Sequence, residues 1–275
     1  MTPITPTVKQ LLIVNFLFFA GSQLLGDVAY EYLSLYDIEN NSFRIWQPLT
    51  HMFMHASVYQ GNFSNIMHIA FNMFALYSFG SILEHYWGGI KFLFFYISCG
   101  LGAALLHSLV NYVQIQLLLD QLSQLSLSAS DLHVLLNANY STVFDENGQL
   151  VAGQVSSIME KAQFQQADFN TLIKAVQLCQ TPAVGASGAI YGLLVAFAFM
   201  APNAELGLMF IPIPIKAKYF VPGLLAVDLF MGVSGESIFG GASGIAHFAH
   251  IGGALVGFLM VWYWKKNQFK SNRWN

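Results

Sequence analysis

The sequence predicts an all-α polytopic membrane protein, a six-transmembrane-helix bundle formed by residues 1–275, with a mostly helical extracytoplasmic insertion at 114–183 between the third and fourth spans. Three observations carry this prediction. Charged residues make up 9% of the chain and hydrophobic residues 55%, where soluble domains carry about 25% and about 45–50%, the latter even with glycine counted. So few charges cannot cover a soluble surface. Apolar runs recur at close to the roughly 20 residues that a helix needs to cross a bilayer. Finally, Lys and Arg gather on one side of the bundle that those runs define.

The apolar runs fall at 11–28, 65–83, 92–113, 187–201, 219–233 and 245–264. No small-residue cleavage site follows the first, so it reads as a retained anchor and not a signal peptide. Residues 43–64 are uncharged after Arg44, carry Pro48 and several aromatics, and are too apolar for a solvated loop yet too broken for a span. Interfacial or protein-buried irregular backbone is the arrangement a bilayer permits there. Residues 114–183 are the most polar part of the chain. Within them Ile115, Leu118, Leu122 and Leu125 recur at helical spacing, as do Ile158, Ala162, Phe169, Leu172 and Val176, each set predicting an amphipathic helix. Asp145-Glu146-Asn147-Gly148 between them is a turn signal. The fourth and fifth runs are short, and the fifth contains Asp228.

With six spans both termini share one side. Placed in the cytoplasm of a bacterial cell membrane, they put Lys9, Lys91, Lys216, Lys218, Lys265, Lys266, Lys270 and Arg273 inside, as the positive-inside rule requires. Arg44, Lys161 and Lys174 then fall outside, together with Asp131, Asp145, Glu146, Glu160 and Asp168. The net charge of −3 carries no information about partners, and no basic patch with interleaved aromatics points to nucleic acid. Cys99 and Cys179 are too few for a disulfide framework and lie in unlike surroundings, so no bridge is expected.

Polar and ionisable residues inside spans are costly, which makes each a functional candidate. Gly185-Ala186-Ser187-Gly188 opens the fourth run. A serine there meets the free N–H groups and positive dipole end of a helix, a place that favours an attacking oxygen and an oxyanion; it is equally a helix cap among small packing residues. His250-Ile251-Gly252-Gly253, with Gly257, lies in the sixth run. Gly253 and Gly257 form a small-residue face that admits a second helix closely. His250, one turn away, faces that contact either as an interhelical hydrogen-bonding group or as a general base to Ser187. His68 and Asn72, four residues apart, share a helix face and suit either an oxyanion hole or a polar helix contact. Of the other candidates, Ser243 in Gly241-Ala242-Ser243-Gly244 is seven residues from His250, about 10 Å along a continuous helix, too far for proton transfer. His51 and His55 lack the glutamate of an HExxH zinc site. His247 faces the same cleft as His250, and Asp228 marks either an ion path or the outer end of its helix, with a minor structural role preferred.

Together, His68-Ile69-Ala70-Phe71-Asn72, Gly185-Ala186-Ser187-Gly188 and His250-Ile251-Gly252-Gly253, in this order on spans two, four and six, resemble the rhomboid intramembrane serine proteases. Trp46-Gln47 is similar to the family's Trp-Arg element with Gln in place of Arg, and Glu84 falls where the family often has an acid. The resemblance covers the six-span core and not 114–183. It implies a Ser–His dyad without an aspartate. Ser187 would be the nucleophile and His250 the base and then acid, with His68, Asn72 and the Ser187 N–H as oxyanion hole and Tyr191 packed on the His250 ring. Gly185 and Gly253 would support these positions. It further implies single-pass transmembrane proteins as substrates, entering beside span five and a mobile loop at 234–244, and no metal or other cofactor. A pseudoprotease that binds membrane-protein clients without cutting them is the alternative; a channel or transporter is disfavoured by the absence of charged residues from most spans and the lack of internal repeats.

Overall fold

The computed structural model describes residues 3–58, 63–145, 150–208, 211–234 and 245–271. Its elements in chain order are helices α1 (Pro6–Leu25), α2 (Asp27–Leu33) and α3 (Gln47–Thr50), the last running into a 3-10 turn (His51–Phe53). Then come α4 (Phe63–Ala75), a π-helical turn (Leu76–Gly80), α5 (Ser81–Trp87) and α6 (Gly89–Asp120). Helices α7 (Ala129–Asn137), α8 (Tyr140–Val143), α9 (Gln154–Lys161) and α10 (Gln166–Gln180) precede α11 (Ser187–Met200). A hairpin of β1 (Glu205–Leu208) and β2 (Ile211–Lys216) leads to α12 (Ala217–Ser234) and α13 (Ile245–Ser271).

Pro6–Leu25, Asn65–Trp87, Gly89–Asp120 and Ala217–Ser234 are long and apolar enough to cross a membrane by length and composition, and Ser187–Met200 is a shorter apolar helix. Large apolar side chains stand exposed along them, among them Phe16, Leu17, Phe94, Leu105, Phe230 and Val233. Contiguous apolar exposure on this scale has to be met by an apolar medium, and the protein is an integral membrane protein.

Three departures from the sequence reading have local causes. The 205–216 link is an antiparallel β-ribbon and not helix or coil, pairing Glu205 with Lys216 and Leu206 with Ile215. In Ile211-Pro212-Ile213-Pro214-Ile215, the prolines exclude helix and the alternating β-branched residues favour an extended edge. The run at 65–83 belongs to a longer stretch, α4–α5, carried through a π-helical turn. The third run continues to Asp120, because no Gly or Pro interrupts its apolar period after Val113.

The chain divides into two compact units. The first comprises residues 1–35, 45–107 and 183–275. Its core is built from Phe92, Phe95, Tyr96, Leu76, Leu83 and Leu193, all fully buried. Trp87, Phe95 and Trp264 form an aromatic cluster with centroids 5.0–5.7 Å apart, and the Lys91 ammonium sits 4.1 Å over Trp264. Glu84 accepts hydrogen bonds from the Thr7 and Val8 N–H groups at 2.9 and 2.8 Å and from the Thr5 hydroxyl at 2.5 Å. A carboxylate from α5 thereby takes up N–H groups at the start of α1. Residues 46–53 are tied to α2: the Trp46 indole donates to the Tyr32 carbonyl and the Gln47 amide to the Glu31 carbonyl, at 2.9 and 3.0 Å.

The second unit comprises residues 36–44 and 108–182. Ile115, Leu122, Leu172 and Val176 are in its core, with Leu118, Leu125, Ile158 and Phe169 packed against them. Ser128 and Asp131 close a capping box at the start of α7. Asn111 donates to Asp37 at 2.9 Å, and the Asn40 amide donates to the Cys179 carbonyl. Burial raises the Asp37 carboxyl above its ordinary value and pushes the Cys179 thiol up to about 12. Cys99 and Cys179 are both buried free thiols.

Candidate active site

Close helix contact comes first, because it sets every distance in the site. A Cβ added at Gly253 of α13 would run into the backbone oxygen of Gly188 on α11. One added at Gly257 would lie 2.7 Å from the Cα of Gly192. On α6, the Gly102 carbonyl would lie 2.5 Å from a Cβ at Gly252. Helices α6, α11 and α13 therefore touch backbone to backbone, an approach only glycine permits. This contact fixes the register of Ser187 against His250.

Ser187 is the first residue of α11, and its Oγ lies 2.9 Å from Nε2 of His250. The opposite nitrogen, His250 Nδ1, lies 2.9 Å from Oδ1 of Asp228 on α12. A carboxylate only accepts, so His250 carries a hydrogen on Nδ1, and the neutral form of the ring turns its Nε2 lone pair to the Ser187 hydroxyl. The Tyr191 ring stacks on the imidazole at 4.2 Å between centroids and 8° between planes. His247 Nδ1 donates to the same Asp228 oxygen at 2.5 Å.

A minor structural role is expected for Asp228 and no aspartate beside the dyad, whereas the structure places the Asp228 carboxylate against the far nitrogen of His250. The carboxylate is buried against two imidazoles. Asp228 and His250 are 22 residues apart on different helices, and no spacing rule relates them. They meet because α12 packs on α13, where the Phe248 ring would lie 3.0 Å from a Cβ at Gly232. The signal that could have found Asp228 was its being an isolated acid in a span.

Gly185 has φ 129°, in the region open to glycine, and its N–H donates to the His51 carbonyl at 2.9 Å. A Cβ there would lie 3.3 Å from Nε2 of His68 and 3.6 Å from Oγ of Ser187. The missing side chain leaves a notch bounded by both. His68 also meets the His55 ring edge-on at 5.4 Å, and His55 Nε2 donates to the Asn15 side-chain oxygen at 2.9 Å. Asn72 differs from His68: its amide donates to the His68 carbonyl at 2.7 Å and is turned along its own helix. His51 Nδ1 donates to the Gln47 carbonyl at 3.1 Å, so His51 and His55 have separate partners. Ser243, the Glu146-Asn147-Gly148 part of the expected turn and residues 235–244 of the expected mobile loop lie outside the described residues.

Chemically, a hydroxyl facing one nitrogen of an imidazole, whose far N–H is held by a carboxylate, is arranged for activation by general base. The helix N-terminus at Ser187 supplies N–H groups where negative charge would develop.

Comparison with known proteins agrees with this architecture. The rhomboid domain family model matches residues 42–119 and 122–267. The chain is similar to presenilin-associated rhomboid-like protein A, mitochondrial, of Danio rerio, with 34% identity over 103 residues, 34% of this chain and 24% of that protein. It is also similar to rhomboid protein 1, mitochondrial, of Saccharomyces cerevisiae, with 35% identity over 85 residues, 31% of this chain and 23% of that protein. The matched stretch spans about a quarter of the length of these relatives.

Proposed function

The chain belongs to the rhomboid family, and on that footing we propose that it is an intramembrane serine endopeptidase that cleaves transmembrane segments of single-pass membrane proteins. The observation that carries the proposal is the 2.9 Å contact between Ser187 Oγ and His250 Nε2. Ser187 attacks the scissile carbonyl while His250 takes its proton and then delivers it to the leaving amine. Asp228 holds the imidazole in the tautomer that leaves Nε2 free, and Tyr191 fixes the ring plane. The oxyanion is received in the notch over Gly185 by His68 and the Ser187 N–H, with Asn72 joining once its amide leaves the His68 carbonyl. The six-helix arrangement, the extracytoplasmic placement of 114–183 and both termini on one face of the membrane belong to the same proposal, supported by the Lys and Arg distribution.

Purified protein in detergent is the material for the test: fluorophosphonate labelling beside cleavage of a fluorescent transmembrane peptide. Wild type is expected to do both, Ser187→Ala neither, and His250→Ala to be nearly inactive in both. Cleavage retained by Ser187→Ala overturns the assignment. Folded wild type that binds the peptide but neither labels nor cleaves it makes the chain a client-binding pseudoprotease.

A further inference from the structure

The second histidine on Asp228 has no part in the hydrolysis proposed above. His247 and His250 are one helical turn apart on α13, and both direct Nδ1 at the same carboxylate oxygen. Ligand atoms from Asp228, His247 and His250 all lie within 4.8 Å of one another. The second oxygen of Asp228 is buried and is not taken up by either histidine. Two imidazoles and a carboxylate are the donor set of a three-ligand zinc site that leaves a fourth position open. Bond lengths of about 2.0–2.2 Å place such ligands about 3.4 Å apart in a tetrahedron. The observed 2.5 and 2.9 Å separations each differ from that spacing by under about 1 Å.

We propose that Asp228, His247 and His250 form an inhibitory site for a zinc-like divalent cation, one that competes with catalysis for the imidazole of His250. The ion takes the places of the two Nδ1 hydrogens, and each neutral ring changes tautomer by exchange with solvent, its hydrogen passing from Nδ1 to Nε2 with no net release of protons. A neutral His250 bound through Nδ1 then carries its hydrogen on Nε2. That nitrogen faces Ser187 Oγ at 2.9 Å as a donor and no longer accepts the hydroxyl proton. One ligand exchange therefore converts the base into an inert group without moving a helix. The inhibitory consequence rests on the hydrolase reading, whereas binding of the ion does not.

The two are separated by measuring both. Zinc binding to the Ser187→Ala protein is followed by equilibrium dialysis. Fluorophosphonate labelling of wild type is followed across a zinc titration and after chelation. One zinc per chain is expected, with affinity falling about tenfold or more in His247→Ala and Asp228→Asn, since even outer-shell losses at metal sites cost about 10–100-fold. Labelling is expected to stop as zinc fills the site and to return with chelator. His247→Cys, which keeps a ligand, is expected to bind and to shift preference toward cadmium, as a soft thiolate does. Zinc affinity unchanged in both His247→Ala and Asp228→Asn overturns the site and assigns the ion to adventitious histidines elsewhere. One zinc bound through these residues, with zinc-free wild type unreactive to the probe, keeps the site and removes the hydrolase reading. Labelling that persists with the site filled overturns the inhibition.

Discussion

Gly253→Ala tests whether the backbone contact between α11 and α13 sets the reactive geometry. The added methyl meets the Gly188 carbonyl, a backbone atom that cannot rotate aside. Carbon–oxygen contact requires about 3.3–3.6 Å, so α13 must back away from α11 by on the order of 1 Å. This shift acts one turn from His250 and lengthens the 2.9 Å Ser187–His250 contact beyond hydrogen-bond reach. A misplacement of about 1 Å costs on the order of 100-fold in rate, and overpacking costs about 1–3 kcal/mol of stability. Intrinsic propensity acts in the opposite sense, since Ala is favoured over Gly in a helix by about 1 kcal/mol, so the sign of the stability change decides which effect wins. Gly21→Ala on α1 is the control, because nothing lies within 4 Å of its added methyl. The assay is the second-order rate of fluorophosphonate labelling with thermal unfolding in the same detergent. Gly253→Ala is expected to label about 100-fold more slowly and melt lower, and Gly21→Ala to label normally. A Gly253→Ala protein that labels at close to the wild-type rate and melts no lower refutes the reasoning.

Three further outcomes follow from the same geometry. Asn72→Ala should slow peptide cleavage by less than the roughly 10²–10³-fold that loss of an engaged oxyanion donor costs, and His68→Ala by more than Asn72→Ala; the reverse order in kcat would place Asn72 in the hole and His68 outside it. Glu84→Gln should lower the melting temperature by weakening the charge-assisted bonds to the start of α1, worth about 1.5–3 kcal/mol each, and an unchanged melting curve would count against that tie. Burial lowers His51 to about 4 and His55 to about 3, below the ordinary 6.5 or so. Their contribution is complete above about pH 6.5 and is lost as pH falls toward those values, on the order of 3 kcal/mol for His51 alone by pH 4. Melting temperatures measured from about pH 7.5 to about pH 4.5 should fall, and a flat profile would refute the buried, neutral state.

Legibility from sequence followed the range of each interaction. Ser187 at the head of a helix, His250 beside Gly253, and the i,i+4 pair His68 and Asn72 are local statements, and a single strand of sequence carries them. The apolar repeat Ile115, Leu118, Leu122 was visible too, although the membership of Ile115 and Leu118 in α6 was not, since periodicity alone does not mark where one helix continues into the next. The contacts of Asp228 with His247 and His250 were not legible because they depend on which residues of another helix face it. The ribbon at Glu205–Lys216 was missed because two short strands give a weaker pattern than a helix. Asn72 shows the remaining gap. Spacing places it on the His68 face, but only coordinates reveal that its amide is occupied by its own backbone.

The position of Asp228 has a mechanical consequence. The acid is carried by α12, whose opposite face presents Val227, Phe230 and Val233 outward, while the histidines ride on α13. Tilting α12 outward withdraws the carboxylate from both imidazoles in one movement, and closing it restores both contacts. The contact of His250 with its carboxylate is thus tied to the posture of a whole helix, so that whatever wedges α12 aside frees both imidazoles together.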